Sequence, residues 1–195
     1  MDFIEKSNNY NKFLNFVILG DTFVGKTILS KRIKIINKNL SLLPLEYRRA
    51  ISPDFEDCYI KMKDKIIRIS FWDCDADVDI PRMGIGFPSR SEAFLILYDA
   101  LSRKSFEKAM KIYKYISICI SREKAIYILV RSKYELNKDK QGNENIFVSD
   151  EEALEFAEEN NIFFCHISSF EQHESGIKEL FSLILKNYLL KNNVC

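Results

Sequence analysis

Residues Gly20 to Thr27 read GDTFVGKT, which matches the spacing G-x-x-x-x-G-K-S/T. Chemistry explains why these residue types stand at these intervals. The two glycines let the backbone turn its N–H groups inward around an anion, the lysine reaches the outer oxygens of a polyphosphate, and the hydroxyl ligates a magnesium ion. Gly20, Thr22, Phe23, Val24, Gly25, Lys26 and Thr27 are therefore the candidate phosphate-binding residues, with Thr27 as the candidate metal ligand. The same eight letters also arise by chance as a glycine-containing turn with a solvated lysine, so the flanking elements decide. NFVILG before the loop is a branched apolar run suited to a buried strand, and ILSKRIKII after it carries apolar residues at helical spacing. A strand, a loop and a helix N-terminus follow in the order a phosphate site requires.

The rest of the chain supplies elements that position such a loop. NFVILG, CYIKMK, IIRISFW, EAFLILY, AIYILV and IFFCHI read as strands, and ILSKRIKII, SFEKAMKIYKYISICI, SDEEALEFAEEN and SGIKELFSLILKNYLL as helices. Alternation of this kind predicts a mostly parallel sheet covered on both faces. In CYIKMKDKIIRISFW the polar stretch Lys63, Asp64, Lys65 divides two strand-like runs and predicts a hairpin, hence one antiparallel strand. Ser149 or Asp150 with Glu152, and Ser102 or Ser105, are the expected helix caps. Leu40 to Pro53, Asp75 to Ser91 and Asn137 to Asn145 read as loops; the first two are long enough to expect function in them.

At 195 residues the chain fits a single domain, with residues 1–11 as an extension, 12–191 as the core and 192–195 as a short tail. Basic and acidic residues number 29 and 28, so the overall balance gives no case for a nucleic-acid partner. The five cysteines are scattered, without a C-x-x-C pair, and only two histidines accompany them. That pattern points away from zinc and disulfides and toward a reducing compartment, with a cytoplasmic location expected. No apolar stretch approaches the roughly 18 to 20 residues of a membrane span, and the first residues lack the apolar region of a secretory signal.

Taken together, the chain resembles a small GTPase of the Ras superfamily, most of all the Rab branch, over roughly residues 12 to 191. GDTFVGKT resembles the first phosphate motif, IIRISFWDCDA the strand that ends in W-D-T-A-G, and AFLILYDALSRKSFEKA the strand and helix around "YD...SF". ILVRSKYEL resembles the N-K-x-D-L base-reading loop and VSDEEALEFAEENNIFFCHISS the stretch leading to S-A-K. The resemblance implies the P-loop small-GTPase fold, an α/β architecture with a six-stranded, mostly parallel sheet carrying one antiparallel strand and flanked by about five helices. It implies GTP or GDP with Mg²⁺ as ligands, and protein effectors or regulators at two switch loops, which fall at Leu40 to Pro53 and Asp75 to Ser91. It also implies base contacts from Lys133, Glu135, Ser168 and Ser169, and metal contacts from Thr27, Asp73 through water, and Ser52. Side chains near the hairpin, Trp72 included, are then candidates to face an effector.

Several positions depart from the family pattern. Where the family has D-x-A-G-Q, this chain has Asp73, Cys74, Asp75, Ala76 and Asp77. Ala76 adds a Cβ where a glycine backbone turns freely, and Asp77 replaces the amide that orients the attacking water with a group that, ionised, only accepts hydrogen bonds. A carboxylate about 4 Å from a phosphate oxygen would repel it by up to about 4 kcal/mol at an effective dielectric near 20. No residue is therefore assigned as a catalyst. Asp at alternate positions from 73 to 79 hints at a calcium loop, but Val78 and Gly84 stand where its glycine and bidentate glutamate belong, which favours a solvated acidic loop. Counting forward from Lys26 and back from Asp73 gives different slots for the metal-binding hydroxyl of the first switch, so that loop carries an insertion. Ser52 is the nearest hydroxyl, beside the restrictive Pro53.

In the base-reading loop Ser132, Lys133 and Glu135 stand for Asn, Lys and Asp; Glu135 keeps both acceptor oxygens but is one methylene longer. Phe170 takes the place of the lysine in S-A-K, and Tyr47 is the candidate to cover the base. The tail ends in the lone Cys195, outside a C-a-a-X box, so membrane attachment is expected to be absent or to run through Cys195 alone. The expected function is a Rab-like guanine-nucleotide switch with weak or absent hydrolysis. The alternatives are a pseudo-GTPase scaffold and, less favoured because no lid segment stands out, a P-loop kinase-like enzyme.

Overall fold

The computed structural model describes residues 2–37, 54–74, 90–121, 123–133, 147–167 and 174–191. Seven strands, β1 (Asp2–Ile4), β2 (Lys12–Gly20), β3 (Asp54–Met62), β4 (Lys65–Asp73), β5 (Ala93–Asp99), β6 (Ile126–Ser132) and β7 (Phe163–His166), form one sheet in the order β1-β3-β4-β2-β5-β6-β7. The helices among the described residues are α1 (Lys26–Asn37), α2 (Arg103–Cys119), α3 (Asp150–Glu159) and α4 (Glu174–Lys191).

Strands β4, β2, β5, β6 and β7 pair in parallel, whereas β3 runs against both β4 and β1. The expected hairpin is present: Met62 pairs with Lys65, and Lys63 takes the left-handed φ of 54° that the tight turn needs. Thus β3 is the single reversed strand among the described residues, as the sequence predicts. The sheet exceeds the expected six strands by β1. It lies in the segment read as an extension and is too short for a period-2 signal.

Alternation along each strand builds a core on each face. Leu14, Phe16 and Ile18 of β2, Ile69 and Phe71 of β4, and Leu95 and Leu97 of β5 pack under α1 and α4 through Leu29, Ile33, Phe181 and Ile184. The intervening Val17, Leu19, Phe94, Ile96 and Tyr98 pack under α2 and α3 through Phe106, Tyr113 and Phe156. Strands β5 and β6 are buried on both faces, which is why their sequences are unbroken apolar runs rather than alternating ones. The helices begin where their caps predict. The Ser102 hydroxyl accepts from the Ser105 N–H, and the Ser149 hydroxyl from the Glu152 N–H. Bidentate contacts of 2.6 and 2.8 Å between Arg103 and Glu152 tie α2 to α3. No helix among the described residues is long and apolar enough to cross a membrane.

The connections diverge at the middle of the sheet. The chain leaves β2 for α1 on one face and leaves its neighbour β5 for α2 on the other. That divergence opens a crevice at the carboxyl ends of the strands, the place where open α/β sheets take ligands.

Candidate functional site

GDTFVGKT occupies that crevice. Gly20 ends β2 opposite Leu97 of β5 with a φ of 146°, and a Cβ there would lie 2.4 Å from the Leu97 carbonyl oxygen. Only glycine fits. The loop then turns through left-handed φ values at Phe23 (65°) and Gly25 (96°). A non-glycine residue held there costs about 1–3 kcal/mol, which is the kind of local strain that accompanies a binding loop. Phe23 is 64% exposed. Val24 is buried and anchors the loop to the core beneath α1.

Lys26 opens α1 and is buried to 8% exposure, with its ammonium donating to the carbonyls of Asp21 at 2.8 Å and Gly20 at 3.2 Å. The lysine therefore folds back over the loop and spans the space its backbone encloses. Next to it the Thr27 hydroxyl donates to Asp73 Oδ2 at 2.6 Å, and Asp73, at the end of β4, is 2% exposed. A hydroxyl and a buried carboxylate side by side at a helix N-terminus are hard oxygen donors, the set magnesium takes when phosphates complete its shell. Cys74 follows Asp73; its thiol is pushed up to about 12 by burial first and by the Asp73 charge second, so it stays protonated.

Two residues that the sequence reading passed over hold this loop. Asp21 accepts from the Thr22 amide at 2.8 Å and from the Lys108 ammonium of α2 at 2.8 Å. Burial alone would raise the Asp21 carboxyl, but Lys108 and the Thr22 amide outweigh it and hold the group below its ordinary value. The Thr22 amide, one of the candidate phosphate contacts, is thereby engaged by its neighbour's carboxylate. Nothing in the spacing of GDTFVGKT signals this pair.

Beyond β6, Lys133 takes a φ of 57° and its ammonium pairs with Asp99 at the end of β5. Asp99 also accepts from the Leu101 amide at 2.9 Å, so the loops after β5 and β6 are joined at the same end of the sheet as the phosphate cradle. Ser132 is fully buried and donates to the Tyr98 carbonyl at 2.9 Å, tying β6 to β5 beneath Lys133. Asp99 stood within the motif "YD...SF" but carried no assigned role; its place at a parallel-strand C-terminus was the available signal. Ser52, Glu135, Ser168 and Ser169 lie outside the described residues, as do Tyr47, Phe170, Cys195 and the altered pair Ala76 and Asp77. Trp72 is half-buried against the α2 face of the core, with its indole N–H 3.5 Å from Asn15 Oδ1. Among the described residues no three acidic, histidine or cysteine side chains gather as a metal cluster.

The structure thus brings Gly20, Gly25, Lys26, Thr27, Asp73 and Lys133 to one end of one sheet. The family model described as "Ras family" matches residues 15–190. This chain belongs to the Ras family. Within it, this small GTPase is 31% identical over 173 residues to the Rho-related protein racN of Dictyostelium discoideum, covering 87% of this chain and 73% of that protein. It is 30% identical over 183 residues to the Ras-related protein RabY of the same organism, covering 93% and 72%. Against the Ras-related protein Rab7 of Cenchrus ciliaris it is 26% identical over 180 residues, covering 90% and 82%. It is a Ras-superfamily small GTPase close to the Rab proteins, and membership makes it a GTP-binding switch protein that meets effectors and regulators.

Proposed function

We infer that this GTPase holds GDP or GTP with Mg²⁺ and hydrolyses GTP weakly or not at all. The observation that carries the binding half is the Lys26, Thr27 and Asp73 arrangement behind a loop that only Gly20 can close. In this reading the backbone from Thr22 through Lys26 faces the phosphates and the Lys26 ammonium neutralises their outer oxygens. Thr27 and, through water, Asp73 hold the metal, with Ser52 as a further ligand. Lys133, Glu135, Ser168 and Ser169 take the base. When bound, Mg²⁺ would supply positive charge to the phosphates, and Thr27, Asp73 and Lys26 a preorganised set of polar groups around them. The hydrolysis half rests on sequence: Ala76 and Asp77 stand where the family places a glycine and a glutamine. Effectors or regulators are expected at the switch surface near Trp72.

Denaturing the purified protein and separating released nucleotide by chromatography tests the reading. A guanine nucleotide near one equivalent is expected, and Lys26→Ala should lose it, with affinity falling by roughly a hundredfold, or about 3 kcal/mol. An adenine nucleotide would move the assignment to a kinase-like enzyme. An empty protein that takes up neither nucleotide by calorimetry would leave a pseudo-GTPase scaffold.

A further inference from the structure

A groove of about 690 Å³ lies between the β3–β4 hairpin and the last two turns of α4. Its floor is apolar, made by Met62 and Ile67 from the hairpin and Leu185 and Leu189 from the helix. Leu190, 61% exposed, extends the apolar surface at one margin. The margins are basic on both sides: Lys63 and Lys65 project from the turn and Lys186 from the helix, all exposed, against the single carboxylate of Asp64. Among the described residues none of the three lysines has an ion-pair partner. Lys12, whose Cα pairs with Ile67 and whose ammonium lies 5.7 Å from the Tyr188 ring, adds a fourth positive charge at this end.

From this we propose that the groove is a docking site for an acidic amphipathic segment of a partner protein, its aliphatic side chains on the floor and its carboxylates on Lys63, Lys65 and Lys186. Complementarity decides the occupant. An apolar cleft bordered by exposed ammonium groups on both walls rewards a ligand with alternating aliphatic and acidic faces, and it repels a basic one. Shape favours a peptide over a bilayer, because a cleft seats a helix or strand, whereas anionic lipid headgroups meet a flat or convex cluster of basic residues. From Ser182 to Leu190 the α4 wall is roughly 12 Å long, enough for about two turns of helix and two or three anchoring side chains. The site is separate from the nucleotide. The nine residues of β4 run from Lys65 at the groove to Asp73 beside Thr27, a span of roughly 26 Å, so the two sites do not overlap.

The test uses the full chain and a labelled synthetic peptide of about 14 residues, with leucine at i, i+3, i+4 and i+7 and glutamate on the other face. Fluorescence anisotropy should show saturable binding that weakens with salt, and amide shifts in NMR should map to residues 62–67 and 182–190. The double variant Lys65→Glu with Lys186→Glu should bind this peptide roughly tenfold more weakly and should instead take the matching leucine and lysine peptide. Both lysines are exposed, so the variant's thermal midpoint should stay at that of the parent. No binding, or equal binding by parent and variant, overturns the proposal. So does co-sedimentation with phosphatidylserine vesicles in place of peptide binding, which assigns the face to membrane. Likewise, dimerisation that the charge reversal abolishes assigns it to a second copy of the chain.

Discussion

Asp21 shows how one side chain outside the phosphate contacts governs the loop that makes them. Its carboxylate collects the Thr22 amide and the Lys108 ammonium, both at 2.8 Å, and so fastens the second residue of the cradle to the first turns of α2. The pair is only partly buried, with side chains 33% and 19% exposed, which keeps its worth near the upper end of an exposed ion pair. Lys108→Ala should therefore speed release of a fluorescent GDP analogue by about fivefold, equivalent to about 1 kcal/mol, while Lys108→Arg restores the slow rate. The effect has a pH signature. Asp21 sits below its ordinary value in the folded protein, so its contribution is complete above the unfolded carboxylate range and disappears as pH falls through the lower folded value, below about pH 4. Asp21→Asn should flatten that acid limb of thermal stability. Lys26 and Thr27 were legible in the sequence because phosphate chemistry fixes their types and spacing. Lys108 was not, because its partner lies 87 residues away and only the packing of α2 against the sheet brings them together.

At the scale of elements, β1 is the feature that sets this sheet apart from the expected one. Three residues pair Asp2 with Lys61, Phe3 with Ile60 and Ile4 with Tyr59, which closes part of the open edge of β3. So short a strand gains little from its ladder alone. What holds it is Phe3, packed edge to face on Phe181 of α4 at 5.0 Å and against the core beneath. Phe3→Ala should cost about 2 kcal/mol, less than a fully buried phenylalanine because Phe3 is half-buried, and should lower the melting temperature by roughly 4–8 °C. Differential scanning calorimetry checks it, and a change within about 0.5 kcal/mol would leave β1 as an ornament on the sheet. The other six strands and all four described helices were readable from apolar runs and helical spacing, and both serine caps from the residues around them. The difference is physical. The other strands, down to the four residues of β7, lie within apolar runs that declare themselves by pattern, whereas β1 exists because a distant helix offers its aromatic ring a place to pack.

For the whole molecule, the ground state and the reaction draw on different parts of the chain. The cradle, Lys26, Thr27 and Asp73 are held by a two-faced core and follow the family pattern. The segment that should complete the chemistry departs from that pattern at Ala76 and Asp77. Binding and turnover are therefore separable by mutation. Restoring Ala76→Gly together with Asp77→Gln removes the added Cβ and the negative charge and returns an amide that both donates and accepts. Single-turnover GTP hydrolysis should rise by at least roughly tenfold in the double variant, a barrier change of about 1.4 kcal/mol, with GDP affinity unchanged. Trp72 gives an independent readout: it is the only tryptophan, it precedes Asp73, and it rests half-buried against the core. Exchange of GDP for GTP should shift its emission in the parent and in the double variant alike, because Trp72 reports the end of β4 rather than the chemical step. A double variant that hydrolyses no faster while its emission still responds to the nucleotide would place the slow step elsewhere, with the segment before Ser52, which the sequence count reads as longer than the family's, as the next to alter.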